Sequence, residues 1–510
     1  MSKKNSTAGT LSFIFIAMLM SKLLGQIREM VVAGTYGTAW QADAYLAASQ
    51  IPTNFFDMIL GSAVSAAFIP VFNKFIQEKG EKRAKKFACS FFNTVCLIGL
   101  LLTLLGEFFA PFIIAKFTPG LEGEAAILAV KLLRIMFPMI IFIGGAYTFV
   151  GLLQSVGEYN LPAAMSMVSS SICIIYLLTL EKKFGITGLA VSLLTGWFLQ
   201  FVFLLPSTLK KGFRFGKGIK DSGLAEVARL ALPVLIGTWV QPINVMVNTM
   251  IASKVSGGVS AINYANKLYI IAAGIFAMSV TNYIFPKLSR LSIDENDKEE
   301  WYELLTSSLR IVILVVTPIS VVFLTESREI IRVIYQRGRF DEASVAVTGG
   351  VLLFYAIGIL PYALQEIMYK AFYSKRNSVT PMFVALGGIV INASLSFLLS
   401  NIMGIKGLAL AASLSVAAVF AASFIIIMRG RKNSGFYFDF IKILLSGGIC
   451  AVGIVFVKKY VTVLFGLDTF ICRAAVLCIP AAIGFLIYCI MILITKPAEV
   501  NDFIGKFKKQ

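Results

Sequence analysis

Between Ser21 and Lys74 the chain is apolar enough for two membrane helices, yet it carries Lys22, Arg28, Glu29, Asp43 and Asp57. A charge near a bilayer centre is costly, so each of these side chains needs a partner or a water-filled cavity within a helix bundle. Lys22 and Arg28 are six residues apart, which places them within about 120 degrees of each other around a helix. They can line one cavity. Glu29 reads as a partner holding a neighbouring helix. Asp43 lies near the outer end of the second span, where a cap or loop hydrogen bond would explain it. Asp57 follows the break expected at Ile51-Pro52, where it either pairs with a cavity cation or sits at a broken turn. Gln241, Asn244 and Asn248 on a later span are spaced for one helix face and suit either interhelical hydrogen bonds or a polar cavity. Lys267 lies inside the next span. Cations gathered in this way suit a strongly anionic head, with phosphate or pyrophosphate the natural candidate.

Only 14% of the 510 residues are charged and the mean hydropathy is +0.83, which places the chain among polytopic membrane proteins rather than soluble domains. The formal charge of +19 resides mostly in short loops between apolar runs, as membrane topology requires, so nucleic acid is not expected as a partner. Anionic lipid surfaces are. There is no histidine, which removes the commonest general base and metal ligand. No GxxxxGK[ST] loop is present either, so neither catalysis nor ATP hydrolysis is expected, and no cofactor or metal. The seven cysteines lie in apolar runs without a CxxC and read as free thiols.

Apolar runs and polar interruptions predict an all-α polytopic protein of about fourteen transmembrane helices. The expected organisation is a six-helix bundle over 1–209, a basic cytoplasmic linker over 210–224, a second six-helix bundle over 225–432, and two additional helices with a basic tail over 433–510. Loops on the side of the termini hold roughly 25 Lys and Arg against roughly 11 opposite, which predicts cytoplasmic termini. The segment ESREIIRVIYQRGRFDE, from Glu326, reads as an amphipathic, solvated outer cap. A duplication is visible in the chain itself: GITGLAVS from Gly185 matches GIKGLALA from Gly404, and Pro162 matches Pro381 at the same offset of 219 residues. Six helices per repeat predict two pseudosymmetric bundles in the same orientation, an arrangement of transporters.

SKLLGQIRE from Ser21, the ADA of Ala42 to Ala44, SAAFIPVF from Ser65, YANKLY from Tyr264, FPKLSR from Phe285 and AFYSKRNSVTP from Ala371 resemble the MurJ (MviN) family of lipid II flippases, within the superfamily of multidrug, oligosaccharidyl-lipid and polysaccharide exporters. The resemblance implies a bacterial inner-membrane flippase for lipid-linked peptidoglycan precursor, working by alternating access in cell-wall biogenesis alongside the synthesis machinery. It implies that the family's cavity residues fall on Lys22, Arg28-Glu29, Asp43 and Lys267, with Lys22 and Lys267 replacing arginines. Where some relatives carry paired arginines in the second helix, this chain has Phe56-Asp57. The last two helices resemble those forming a groove for the lipid tail. The drive would come from a coupled ion, with Asp43 or Asp57 as ligand, or from membrane potential. The rival readings are an exporter of another polyprenyl-linked oligosaccharide and a cation-coupled drug exporter; a cavity for cationic drugs would be rich in carboxylates and aromatics, and this one leans basic.

Overall fold

The computed structural model describes residues 2–216, 218–238, 240–431 and 434–501, without the side chains of 2–12, 14–15, 55, 57–59, 233–234, 236–241, 275–276, 278, 282, 295 and 434. Among the described residues there are helices and turns but no strand. The chain divides into two compact units, Met1–Ser260 and Ala261–Gln510.

The first unit opens with α1 (Ser2–Tyr36) and α2 (Trp40–Gln50), and α2 runs into a π-helical turn, Ile51–Asp57. There follow α3 (Met58–Ala63), a second π-helical turn (Val64–Phe68) and α4 (Ile69–Phe117), which kinks at Gly80 with φ 78°. Next come α5 (Gly123–Met136), α6 (Met139–Ser155), α7 (Asn160–Thr179), α8 (Glu181–Lys210), α9 (Ser222–Thr238) and α10 (Val240–Ala252). Helix α11 (Gly258–Leu291) starts in the first unit and continues in the second, which adds α12 (Lys298–Tyr335), α13 (Glu342–Ala356), α14 (Ile359–Ser374), α15 (Val379–Met403), α16 (Ile405–Met428), α17 (Ser434–Phe465) and α18 (Phe470–Thr495). Among the described residues ten helices are long and apolar enough to cross a membrane, or eleven if the bent α13–α14 pair is one span. Fourteen passages remain compatible with this, because α2, α9 and α10, with 11, 17 and 13 residues, are each short of the length that crosses a membrane alone.

The duplication has a backbone basis. Gly185, at the α7–α8 junction, has φ 54°, and its counterpart Gly404, between α15 and α16, has φ 60°. Only a residue without a Cβ adopts that conformation at little cost. Three residues on, a Cβ at Gly188 would stand 2.2 Å from the Tyr176 hydroxyl, and one at Gly407 would stand 2.3 Å from the Leu399 carbonyl. Each G-I-x-G thus makes one turn and one close helix approach. The bends recur too: α5 breaks into α6 at Phe137-Pro138, and α13 breaks into α14 at Ile357-Gly358. The carbonyls at the breaks find side-chain donors. Thr103 Oγ1 donates to Phe137 O at 3.3 Å, and Ser413 Oγ donates to Phe354 O at 2.7 Å.

The basic stretch before α9 is docked on the first unit. Phe213 is buried against Phe92 and Phe149, and Asn93 Nδ2 donates to the carbonyls of Gly216 (2.6 Å) and Gly218 (2.9 Å). Arg83 closes it with a bidentate pair to Asp221, at 2.7 and 2.8 Å. Burial pushes the Asp221 carboxyl up, but the hydrogen bonds from Arg83 and the Gly223 N–H outweigh it and hold it below the ordinary carboxylate range.

In the second unit, α12 is tied to α17 by charge at both ends. Arg310 Nε lies 3.3 Å from Asp439 Oδ2, and sixteen residues along α12, about 24 Å, Lys458 Nζ lies 2.8 Å from Glu326 Oε2. Between these pairs, the Tyr488 hydroxyl of α18 donates to Leu314 O at 2.7 Å. The expected solvated outer cap is therefore corrected. Glu326, Glu329 and Arg332 are buried in a network that includes Glu342 and Lys458, while Arg328, Arg337 and Arg339 on the opposite side are exposed. The amphipathic spacing was legible, but its polar stripe faces protein as well as water.

Candidate functional site

Helix α1 continues through Gly25 and Gly34 to Tyr36 without a break. It packs along α7, where Ser21 Oγ donates to Ala163 O at 3.3 Å. Lys22 is exposed and Arg28 half-buried; counted back from Tyr36, they sit about 21 and 12 Å along the helix. Arg28 Nη2 donates to Glu29 Oε1 at 2.9 Å. Consecutive residues on a helix normally diverge, so this pair closes by the length of the arginine and lies within one turn of α1. One of five N–H donors is spent on Glu29, and the remaining four have no partner among the described residues. Tyr45 and Cys173 are the other titratable groups close to that guanidinium.

After the turn at Gly37 (φ 61°), α2 brings Asp43 into the interior, where it is 1% exposed. Its two oxygens accept from Gly257 N at 2.7 Å and Ser260 N at 2.8 Å. Those amides belong to the start of α11, whose first N–H groups have no intrahelical acceptor and whose N-terminus carries partial positive charge. The capping role considered for Asp43 is thus the one its geometry displays, although the cap is for α11 rather than for its own helix. The flanking Ala42 and Ala44 are wholly buried, which explains the ADA stretch as a small-residue approach carrying one acceptor.

Helix α2 ends at Gln50, whose Oε1 accepts from Thr249 Oγ1 of α10 at 2.7 Å. The Ile51-Pro52 break takes the form of the π-helical turn Ile51–Asp57, across whose start Thr53 Oγ1 donates to Ser49 O at 2.6 Å. Proline has no N–H to continue the α-helical ladder, and the wider turn absorbs the defect. Asn248 is buried next to Thr249, Asn244 is half-buried one turn earlier, and neither is free of partners. The side chains of Asp57 and Gln241 lie outside the described residues. Lys267 is a half-buried, partnered residue of α11 in the second unit. Of the predicted residues, Arg28 and Glu29 are in direct contact. Sequence reasoning missed Gln50 and Thr249, for which two uncharged polar residues on separate apolar helices gave no distinguishing signal. No group of three or more His, Cys, Asp or Glu that could hold a metal occurs among the described residues.

A family model described as "Lipid II flippase MurJ" matches residues 32–476. The chain belongs to the MurJ family. Its relatives include the probable lipid II flippase MurJ of Treponema pallidum (strain Nichols), 28% identical over 97% of each chain, and the lipid II flippase MurJ of Burkholderia cenocepacia, 26% identical over 82% of each. Among solved structures it is similar to "Lipid II flippase MurJ, inward closed conformation", with a TM-score of 0.81 and 27% identity, covering 94% of this chain and 98% of that one. An inward-facing MATE family transporter of the MOP superfamily shares the fold at a TM-score of 0.64 and 14% identity, covering 81% of this chain and 96% of that one. As a MurJ family member with at least ten apolar helices, the protein is a multi-pass bacterial membrane transporter. The stretch matched by the MurJ model contains Asp43, Asp57, Gln241, Asn244, Asn248 and Lys267, whereas Lys22, Arg28 and Glu29 precede it.

Proposed function

We propose that this chain moves lipid II, the undecaprenyl-pyrophosphate-linked peptidoglycan precursor, from the inner to the outer leaflet of the cytoplasmic membrane by alternating access and without covalent chemistry. Membership of the MurJ family over most of the chain carries this reading. The geometry adds a cation suited to the task. Arg28 lies well inside a membrane helix with most of its donors uncommitted, and a planar guanidinium matches phosphate oxygens in pairs. Lys22 supplies a second charge on α1, and Lys267 of α11 is a further candidate cation. Asp43 serves as a positioning residue, since both its oxygens are held by backbone. That leaves Asp57 as the carboxylate for a coupled ion. With cytoplasmic termini and a negative interior, outward movement of an anionic head gains about 2.3 kcal/mol per charge per 100 mV. The synthesis machinery of the cell wall is the expected partner on both sides of the step.

The test is transbilayer movement of labelled lipid II in cells depleted of their own flippase and supplied with the wild type, Arg28→Ala or Lys267→Ala. The wild type should flip, and each variant should lose at least about tenfold at normal membrane levels, the scale of one lost charge-assisted contact. A wild type that moves another polyprenyl-linked oligosaccharide or a drug but not lipid II overturns the substrate. Variants that flip normally overturn the cation assignment.

A further inference from the structure

From Tyr362 to its end, helix α14 has two sides of opposite character. Ala363, Leu364, Ile367, Met368, Ala371 and Phe372 are buried, while Tyr362, Gln365, Glu366, Tyr369 and Lys370 are half-buried and Tyr373 is exposed. With 3.6 residues per turn the latter six share one arc of the helix, and none of them is aliphatic. Glu366 and Gln365 lie about 12 and 14 Å from the end of α14 at Ser374, deeper than a headgroup layer of about 6 Å. Lipid chains cannot cover a carboxylate at that depth without a large cost, so the arc lines water-filled space inside the protein. On α15, by contrast, exposed Phe383, Val390 and Phe397 recur every seventh residue, the pattern of a stripe that meets lipid.

The polar groups of the arc are positioned but uncommitted. Gln365 Nε2 donates to the Tyr369 hydroxyl at 2.8 Å, which fixes that ring, while Gln365 Oε1 is buried without a hydrogen-bond partner among the described residues. Glu366 makes no ion pair with Lys370 one turn on; the Lys370 ammonium lies instead 5.4 Å from the ring centre of Phe285 on α11. The repeat shows that the fold does not require this polarity. At the offset of 219 residues, Tyr362, Gln365, Tyr369 and Lys370 correspond to Ile143, Ala146, Val150 and Gly151 of α6, all of them buried. Gly151 is packed so closely that a Cβ there would stand 2.6 Å from the Val64 side chain. One copy packs this face, and the other keeps it polar.

Tyrosine rings beside an amide and a carboxylate suit a sugar, whose C–H faces lie on the rings and whose hydroxyls need acceptors. Lys370 offsets the charge of Glu366, so the arc matches a neutral polyhydroxylated group better than a pyrophosphate or a cation. We infer that this arc of α14 binds the carbohydrate part of the lipid-linked substrate, with Gln365 Oε1 and Glu366 accepting from its hydroxyls and Tyr369 and Tyr373 against its rings. The inference rests on the proposed function and names the part of the substrate head that α14 reads.

The test measures the affinity of the full chain in detergent micelles for four ligands: undecaprenyl pyrophosphate, its peptide-free disaccharide derivative, lipid II, and undecaprenyl pyrophosphate carrying an oligosaccharide of other composition. The wild type should bind the disaccharide derivative and lipid II at least about tenfold more tightly than undecaprenyl pyrophosphate. Glu366→Ala should reduce that gain about tenfold and Gln365→Leu about fivefold, with melting temperature and undecaprenyl pyrophosphate affinity kept. Phe383→Ala on α15 should change nothing. Equal wild-type affinity with and without the disaccharide, or variants that weaken undecaprenyl pyrophosphate by the same factor, overturns the inference. A wild type that passes over lipid II but binds the other oligosaccharide, with the same losses in the α14 variants, overturns the lipid II reading and supports this one.

Discussion

The two units handle charge inside the membrane differently. In the second unit Lys458 meets Glu326 across α17 and α12, and Arg310 meets Asp439 across the same two helices. Each pair spans an interface, so each fastens the additional helices to α12. In the first unit the Arg28–Glu29 pair lies within a single turn of α1, and Lys22 is exposed. A cation whose partner sits on another helix is committed to architecture. One whose partner is its own neighbour keeps its charge in place without fastening anything, and remains available to a ligand.

The contrast can be broken first at Lys458. Replacing it by Met leaves Glu326 buried without its cation, which should cost about 3 kcal/mol or more of stability, seen as a lower melting temperature. Flipping per folded molecule should be kept, and adding Glu326→Gln should recover most of the loss. If Lys458→Met instead abolishes transport at unchanged stability, the division between architectural and functional cations fails. A smaller effect is expected at Asp43, where Asn keeps one acceptor oxygen but loses the charge. The cost should be about 1–3 kcal/mol, with slower hydrogen exchange at Gly257 and Ser260 lost first. Unchanged exchange there would mean that the carboxylate does not hold the start of α11.

The smallest effect lies at the clamp on the stretch before α9. Because the Asp221 carboxyl is held below its ordinary value, its pair with Arg83 contributes stability that is fully present above the unfolded value, about 3.9, and lost as pH falls through the lower folded one. Asp221→Asn should therefore reduce stability at neutral pH by about 1 kcal/mol and converge on the wild type only in acid. A variant that differs from the wild type equally at neutral and acid pH would show that the loop is held by Asn93 and Phe213 alone.

Much of the fold is readable in the chain itself, because long apolar runs in a lipid solvent leave helices as the economical way to satisfy the backbone. The duplication was equally readable, since G-I-x-G in two copies marks a turn that tolerates only glycine. Particular partners were less so. The interior carboxylate of ADA was visible in sequence, but the α11 amides that it caps are more than two hundred residues away. Glu326 read as part of a surface stripe because nothing near it in sequence announces Lys458.

The amino-acid sequence by itself determined the class of molecule, its helical passages, its internal repeat and its family. These follow from hydropathy, short-range sterics and motifs that act over a few residues. Only the tertiary structure decided which charges are committed, placing Asp43 on α11, Lys458 on Glu326 and Arg28 on its own neighbour Glu29. Pairing between distant charges depends on which helix faces meet, and that is a property of packing rather than of any local stretch of chain.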